Sequence, residues 1–190
     1  MPILGIIASS RLSAVAVGDY ESIATVSVGS GGQASVTFSS IPATFKHLQI
    51  RGIGKDNRGY GYDNLMVQFN SDTATGNYTT HLLDGDGSTA SAAAYVQNIA
   101  TAVIVNALSD TTYLANGFGA FVIDILDYAN TSKYKTTRAL GGVDNNNTIG
   151  IVGLTSGLWS NTVAISSILI KGLNGGTLQQ YSHFALYGIK

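Results

Sequence analysis

Cysteine is absent from the 190-residue chain, so neither a disulfide framework nor a thiolate metal site can form. Charge is scarce as well: Asp, Glu, Lys and Arg together make up 11%, against about a quarter in an average soluble domain. A surface short of charge must be covered by Ser, Thr, Asn, Gly and Gln. Such a neutral polar skin suits a subunit packed against copies of itself or against other subunits, and it suits a secreted carbohydrate binder equally well. The formal net charge is −1 and like charges never run together, which leaves a basic track for nucleic acid unsupported. Arg51, Lys55 and Arg58 lie close in sequence, but Asp56 and Asp63 interrupt them, and the segment reads as a solvated loop. No apolar run reaches the about 20 residues of a membrane helix. Neither nucleic acid nor membrane is therefore an expected partner.

Helical periodicity is nearly missing too; alternation with period two takes its place from end to end. Ala24, Val26 and Val28 alternate with Thr25 and Ser27, the Gly29-Ser30-Gly31-Gly32 segment turns the chain, and Ala34, Val36 and Phe38 alternate on the way back. This is the signature of a hairpin with one wet face. Further strands are expected over 46–51, 65–69, 78–83, 119–125, 135–140, 149–155, 164–171 and 182–189. Gly52 to Gly61 reads as a loop. The stretch from Ala90 to Asn106 fits either a short helix, by its alanines, or a strand, by Val103, Ile104 and Val105. About ten short strands separated by Gly, Asn and Ser turns predict an all-β fold: an antiparallel β-sandwich, jelly-roll-like because several connections are long enough to cross between sheets. Residues 1–20 read as an apolar N-terminal arm with a Ser/Ala/Gly linker, and 21–190 as one sandwich domain. The opening Met1-Pro2-Ile3-Leu4-Gly5-Ile6-Ile7 lacks the basic start of a signal peptide and is expected to be retained.

No constellation of reactive residues emerges. His47, His81 and His183 are not at metal-ligand spacing from one another or from a carboxylate, and no G-x-S-x-G elbow occurs. Asp124 and Asp127 could face each other across a sugar as a glycosidase pair does, but Glu21 is the only glutamate. The chain is expected to be no enzyme and to need no cofactor. The Asp84-Gly85-Asp86-Gly87-Ser88 segment has the D-x-D-G look of a calcium loop, with Asp84 and Asp86 as ligands, but lacks the distal Glu of an EF-hand and fits a plain turn. Asp144 to Asn147 reads as a turn that bonds its own backbone. Tyr60 and Tyr62 flank Gly61 in a polar stretch and Trp159 follows Gly157-Leu158. Together with Asp63, Asn64 and Asn145 they form a candidate glycan site, the rings stacking on sugar and the polar groups bonding hydroxyls. The same rings could equally serve a core or a subunit interface.

Several phrases resemble small virion proteins of tailed phages, particularly marine and cyanobacterial ones. They are Tyr20-Glu21-Ser22-Ile23-Ala24-Thr25, Ser40-Ile41-Pro42-Ala43-Thr44 with Lys46 to Arg51, Asp124-Ile125-Leu126-Asp127-Tyr128-Ala129-Asn130-Thr131, the terminal His183 to Ile189, and the opening Ile3-Leu4-Gly5-Ile6-Ile7-Ala8-Ser9-Ser10. The resemblance implies a non-enzymatic structural protein of the virion: a β-sandwich on the particle, as a capsid decoration or as part of a tail or fibre. Its expected partners are other virion proteins and copies of itself, a trimer by analogy with fibres, with host surface glycan as the alternative partner. The arm, through Ile3, Leu4, Ile6 and Ile7, is expected to dock on a neighbouring subunit by burying apolar side chains.

Overall fold

The computed structural model describes residues 18–95, 102–112, 114–146 and 149–190. The predicted docking residues Ile3, Leu4, Ile6 and Ile7 lie outside them. Among the described residues there are twelve strands and no helix: β1 (Tyr20–Ser27), β2 (Val36–Phe38), β3 (His47–Asp56), β4 (Tyr62–Phe69), β5 (Tyr78–Gly85), β6 (Ala90–Tyr95), β7 (Val103–Asp110), β8 (Gly119–Leu126), β9 (Lys135–Asp144), β10 (Gly150–Trp159), β11 (Ile168–Gly172) and β12 (His183–Ile189). The all-β, sandwich-like expectation holds, with twelve strands where about ten were expected.

The strands form one continuous open sheet that folds over into two layers. The large layer runs β1-β12-β3-β8-β9-β10-β5-β6 and is antiparallel throughout. The small layer runs β2-β11-β4-β7, also antiparallel. They join where the last two residues of β3, Lys55 and Asp56, pair in parallel with Ser109 and Asp110 of β7. That seam makes the sheet mixed rather than wholly antiparallel. The long connections do cross between layers, as expected: the chain changes layer from β1 to β2, β2 to β3, β3 to β4 and β4 to β5.

Alternation decides which side chains enter the core. Along β9 burial alternates, with Thr137, Ala139, Gly141 and Val143 inward and Thr136, Arg138 and Leu140 outward. The two layers bury Ile50, Val67, Val105, Ile123, Ile125, Phe184 and Leu186 between them. Two glycines permit the closest approach. A Cβ on Gly119 of β8 would sit 2.0 Å from the Ala107 carbonyl oxygen, and one on Gly141 of β9 would sit 2.1 Å from that of Asn106. No side chain fits there, so β7 lies almost directly on the floor made by β8 and β9.

Two expectations are corrected and one open alternative is decided. The segments around Val26 and Val36 are not a hairpin: β1 pairs with β12 and β2 with β11, in different layers. Positive φ at Gly31 (96°) and Gly32 (72°) and the bridge from Gln33 to Leu178 carry the chain across instead. Alternation marks a half-buried strand but says nothing about its neighbour. The stretch 90–106 makes no helix in its described part; β6 and β7 occupy it, because their backbone pairs with β5 and β4. Gly52 to Asp56 is strand rather than loop, and Lys55 and Asp56, read as solvated, are buried.

Candidate binding surfaces

At the seam, the end of β3 turns into β4 through Asn57 to Gly61, with Gly59 (φ 92°) and Gly61 (φ 81°) in the left-handed region that favours glycine. Beside this turn opens a groove of about 450 Å³ lined by Arg58, Tyr60, Tyr62, Asn64, Tyr95, Leu173 and Asn174. Tyr60 is 71% exposed, and the Arg58 guanidinium lies over its ring at 4.8 Å from the centroid. Burial, with Asp84 and Tyr95 nearby, pushes the Tyr62 phenol up from its usual value. The Asn64 side-chain oxygen is buried and meets no hydrogen-bond donor among the described residues.

The groove rests on buried carboxylates. Asp63, fully buried, accepts four hydrogen bonds. Its Oδ1 takes them from the Asn64 N–H (2.7 Å), the Asn174 side-chain amide (2.5 Å) and Arg58 (3.2 Å), and its Oδ2 takes one from the Asn174 N–H (3.2 Å). Asp63 is therefore taken up by the chain itself, and it fixes the Arg58 and Asn174 side chains that line the groove. Asp110 accepts from the Gly59 N–H (2.5 Å) and the Thr112 N–H (2.7 Å). Burial pushes its carboxyl up, but these hydrogen bonds outweigh it and hold the group below the usual range.

Asp56 lacks such support. Among the described residues its Oδ1 accepts only from the Arg58 N–H (3.3 Å), and its buried Oδ2 has no donor. Burial, opposed by the Arg58 N–H and reinforced by Asp63 and Asp110, raises its carboxyl to about 7. The Oδ2 atoms of Asp56 and Asp63 each lie 3.1 Å from the point where a Cβ on Gly172 would stand. Asp63 is thus a close carboxylate neighbour of Asp56 and adds to the rise of its carboxyl. The neighbouring Lys55 ammonium turns to the Leu114 carbonyl (2.8 Å) and the Ala115 carbonyl, above the Phe118 ring.

The remaining residues of the predicted site part company. Asn145 is buried; its Oδ1 accepts from Ser109 (2.8 Å) and its Nδ2 donates to the Gly61 carbonyl (2.5 Å). It pins the tyrosine turn from behind. Trp159 is no loop residue: it ends β10 at 1% exposure, packs against Phe69 (5.6 Å) and Tyr78 (6.3 Å) and donates from Nε1 to Asp72 (2.8 Å). A ring buried there cannot stack on a ligand. Asp86 Oδ1 accepts from the Ser88 N–H, the Ser88 hydroxyl and the Thr89 N–H, closing the β5–β6 turn on itself. Among the described residues no three His, Asp or Glu side chains gather as a metal site. Arg58, Tyr95, Leu173 and Asn174 complete the groove and were missed. Only Arg58 gave a sequence signal, its nearness to Tyr60; Tyr95 arrives from β6 and Asn174 from the turn after β11.

A second surface is the outer face of the large layer. Strand register aligns Ala185, Arg51, Val122, Leu140, Leu154, Leu83 and Ala92 in one row across seven strands. A parallel row holds His183, Ile53, Ala120, Gly142, Val152, Gly85 and Ala90. Ile53, Leu83, Leu140, Val152 and Leu154 are each 42–56% exposed. Small residues at Ala120, Gly142 and Ala185 leave a shallow trough of about 650 Å³ between Ile53, Leu140 and Tyr187.

No protein-family profile matches the chain, and no curated protein or solved structure matches it significantly.

Proposed function

We propose that this chain is a non-enzymatic structural protein at the surface of a tailed-phage virion, a capsid decoration or a tail or fibre component. The observation that carries the reading is the apolar outer face, which no described residue covers. Five large apolar side chains, each about half exposed on one sheet face, make a contiguous apolar patch of the kind that marks an interaction surface. The low charge of the chain supports the same reading, and so does the resemblance of its motifs. In this reading Ile3, Leu4, Ile6 and Ile7 dock on a neighbouring virion protein. The test is mass spectrometry and immunogold labelling of gradient-purified particles of the phage whose genome carries the sequence. A stoichiometric band and surface label are expected; absence from purified particles overturns the proposal.

A second reading, a glycan-binding module, is favoured by one observation: Tyr60, Tyr62 and Asn64 line a single groove. Aromatic faces stack on the apolar faces of sugar rings while amide and guanidinium groups bond hydroxyls. Binding on an array of bacterial surface glycans, lost in Tyr60→Ala, supports this reading; an array silent at high protein concentration removes it.

A further inference from the structure

We infer that the outer face of the large layer is a self-association surface, occupied by the same face of a second copy of this chain. The inference rests on the reading of the chain as an assembly subunit and names the partner. Three features of the face point to a copy of itself.

The first is size. Seven strands about 4.8 Å apart, with three side-chain rows about 6.8 Å apart, span a flat area on the order of 600 Å². With the relief of the side chains added, this approaches the roughly 800 Å² per partner of a standard stable interface. The second is charge. The third row holds Gln49, Asp124 and Arg138 in cross-strand register, and they satisfy one another. Asp124 accepts from Gln49 (2.7 Å) through one oxygen and from Arg138 (2.8 Å) through the other. Arg51 donates to Gln49 (2.5 Å) and lies over the rings of Tyr20 and Tyr187 at 5.4 and 5.6 Å. No unneutralised block of one sign remains, so two copies meet without repulsion, and an acidic or basic partner finds no counter-charge.

The third feature is shape. The apolar rows form a band that runs straight across the strands. A two-fold axis lying in the interface along that band brings the band of one copy onto the band of the other, as an isologous contact requires. Leu140 and Leu154, a cross-strand pair at the middle of the band, then sit near the axis and are buried in both copies. Sheets packed face to face in this way are the ordinary architecture of a β-sandwich core; here each copy supplies one sheet.

Sedimentation equilibrium on the full chain from micromolar to several hundred micromolar tests the inference. The expected mass is twice the 19.7 kDa of one chain, falling to a single chain on dilution. The double variant Leu140→Lys/Leu154→Lys should stay monomeric throughout, with the far-ultraviolet circular dichroism and thermal midpoint of the folded monomer. Should that variant fail to fold, Leu140→Ser/Leu154→Ser replaces it, with at least a tenfold weaker association expected. A full chain that stays monomeric over the whole range overturns the inference, as does a trimer or a dimer that the folded variant leaves unchanged. Particles containing a chain that is monomeric in solution would reject this contact and leave the virion reading standing.

Discussion

The tyrosine groove and the outer face of the large layer are both open to solvent, yet they are held in shape by different means. The groove stands on buried carboxylates: Asp63 fixes Arg58 and Asn174, Asp110 fixes Gly59, and Asn145 holds the Gly61 carbonyl. Its geometry depends on polar groups drawn from β4, β7 and the turns after β9 and β11. The outer face needs no such scaffold. Its side chains stand where strand register puts them, and their shape follows from cross-strand pairing alone. The difference teaches where each surface is vulnerable: the groove to loss of a buried hydrogen-bonding group, the face to a change in what covers it.

The largest expected effect lies under the groove. Asp56 binds a proton up to about pH 7 in the folded chain but only to about pH 4 when unfolded. The folded state therefore holds more protons between those values, and stability falls as pH rises through the window, by up to about 4 kcal/mol in all, then levels off. Asp72, Asp110 and Asp127, whose carboxyls are held below the usual range, act oppositely, but their contribution is complete by about pH 5. Between pH 5 and 7 the fall isolates Asp56, with Asp63 and Asp110 as the carboxylates facing it and Arg58 as the adjacent cation. Urea unfolding across this range should show the fall in the wild type and a flat profile in Asp56→Asn. The amide donates to Asp63 as the protonated acid does, so the variant should exceed the wild type in stability at pH 8. Parallel profiles for the two proteins would show that Asp56 does not carry the proton.

Next in size is a contrast between adjacent residues of one strand. Ile123 is buried on the inner side of β8, and Val122 stands on its outer side. Ile123→Ala should cost about 3 kcal/mol, while Val122→Ala should stay within about 0.5 kcal/mol when measured at concentrations where the chain is monomeric. Equal losses would mean that the outer face is already covered in the monomer. Asp63→Ala is expected to cost about 2 kcal/mol, because it strands the Asn64 and Asn174 N–H groups in a buried site; the denaturation midpoint reads it. Tyr60→Ala should be the smallest, within about 0.5 kcal/mol, since most of its ring faces water.

Legibility in the sequence follows the same division. The strand segments were legible because period-two alternation is local: β8 and β9 are recognisable from Gly119 to Ile125 and from Lys135 to Leu140 without knowing their neighbours. Apolar residues on both parities of β8, Ala120 and Val122 as well as Phe121, Ile123 and Ile125, already mark a strand with two apolar faces. The groove was half legible. Tyr60, Tyr62 and Asn64 sit within five residues of each other, but Tyr95 and Asn174 join them only when β6 and the turn after β11 close over the seam. Trp159 and Asn145 were misread for a shared reason. Glycine and asparagine neighbours suggest exposure, whereas Asp72 and Ser109, distant in sequence, provide the partners that let both side chains be buried.

The amino-acid sequence by itself determined that this chain is all-β, because alternation, β-branching and glycine-rich turns act within a few residues. It determined as well that the surface would be poor in charge, since composition leaves no other choice. Tertiary structure alone decided that β1 and β2 part into different layers, that β3 bends across the seam to pair with β7, and that Asp56 and Asp63 meet in a buried site. It alone decided that one apolar parity of β8, β9 and β10 is covered by β7 while the other is covered by no described residue. Apart from the Asp56–Asp63 contact, seven positions apart, these outcomes depend on contacts between residues tens of positions apart, and the alternation of a strand, identical for either choice of partner, carries no information about them.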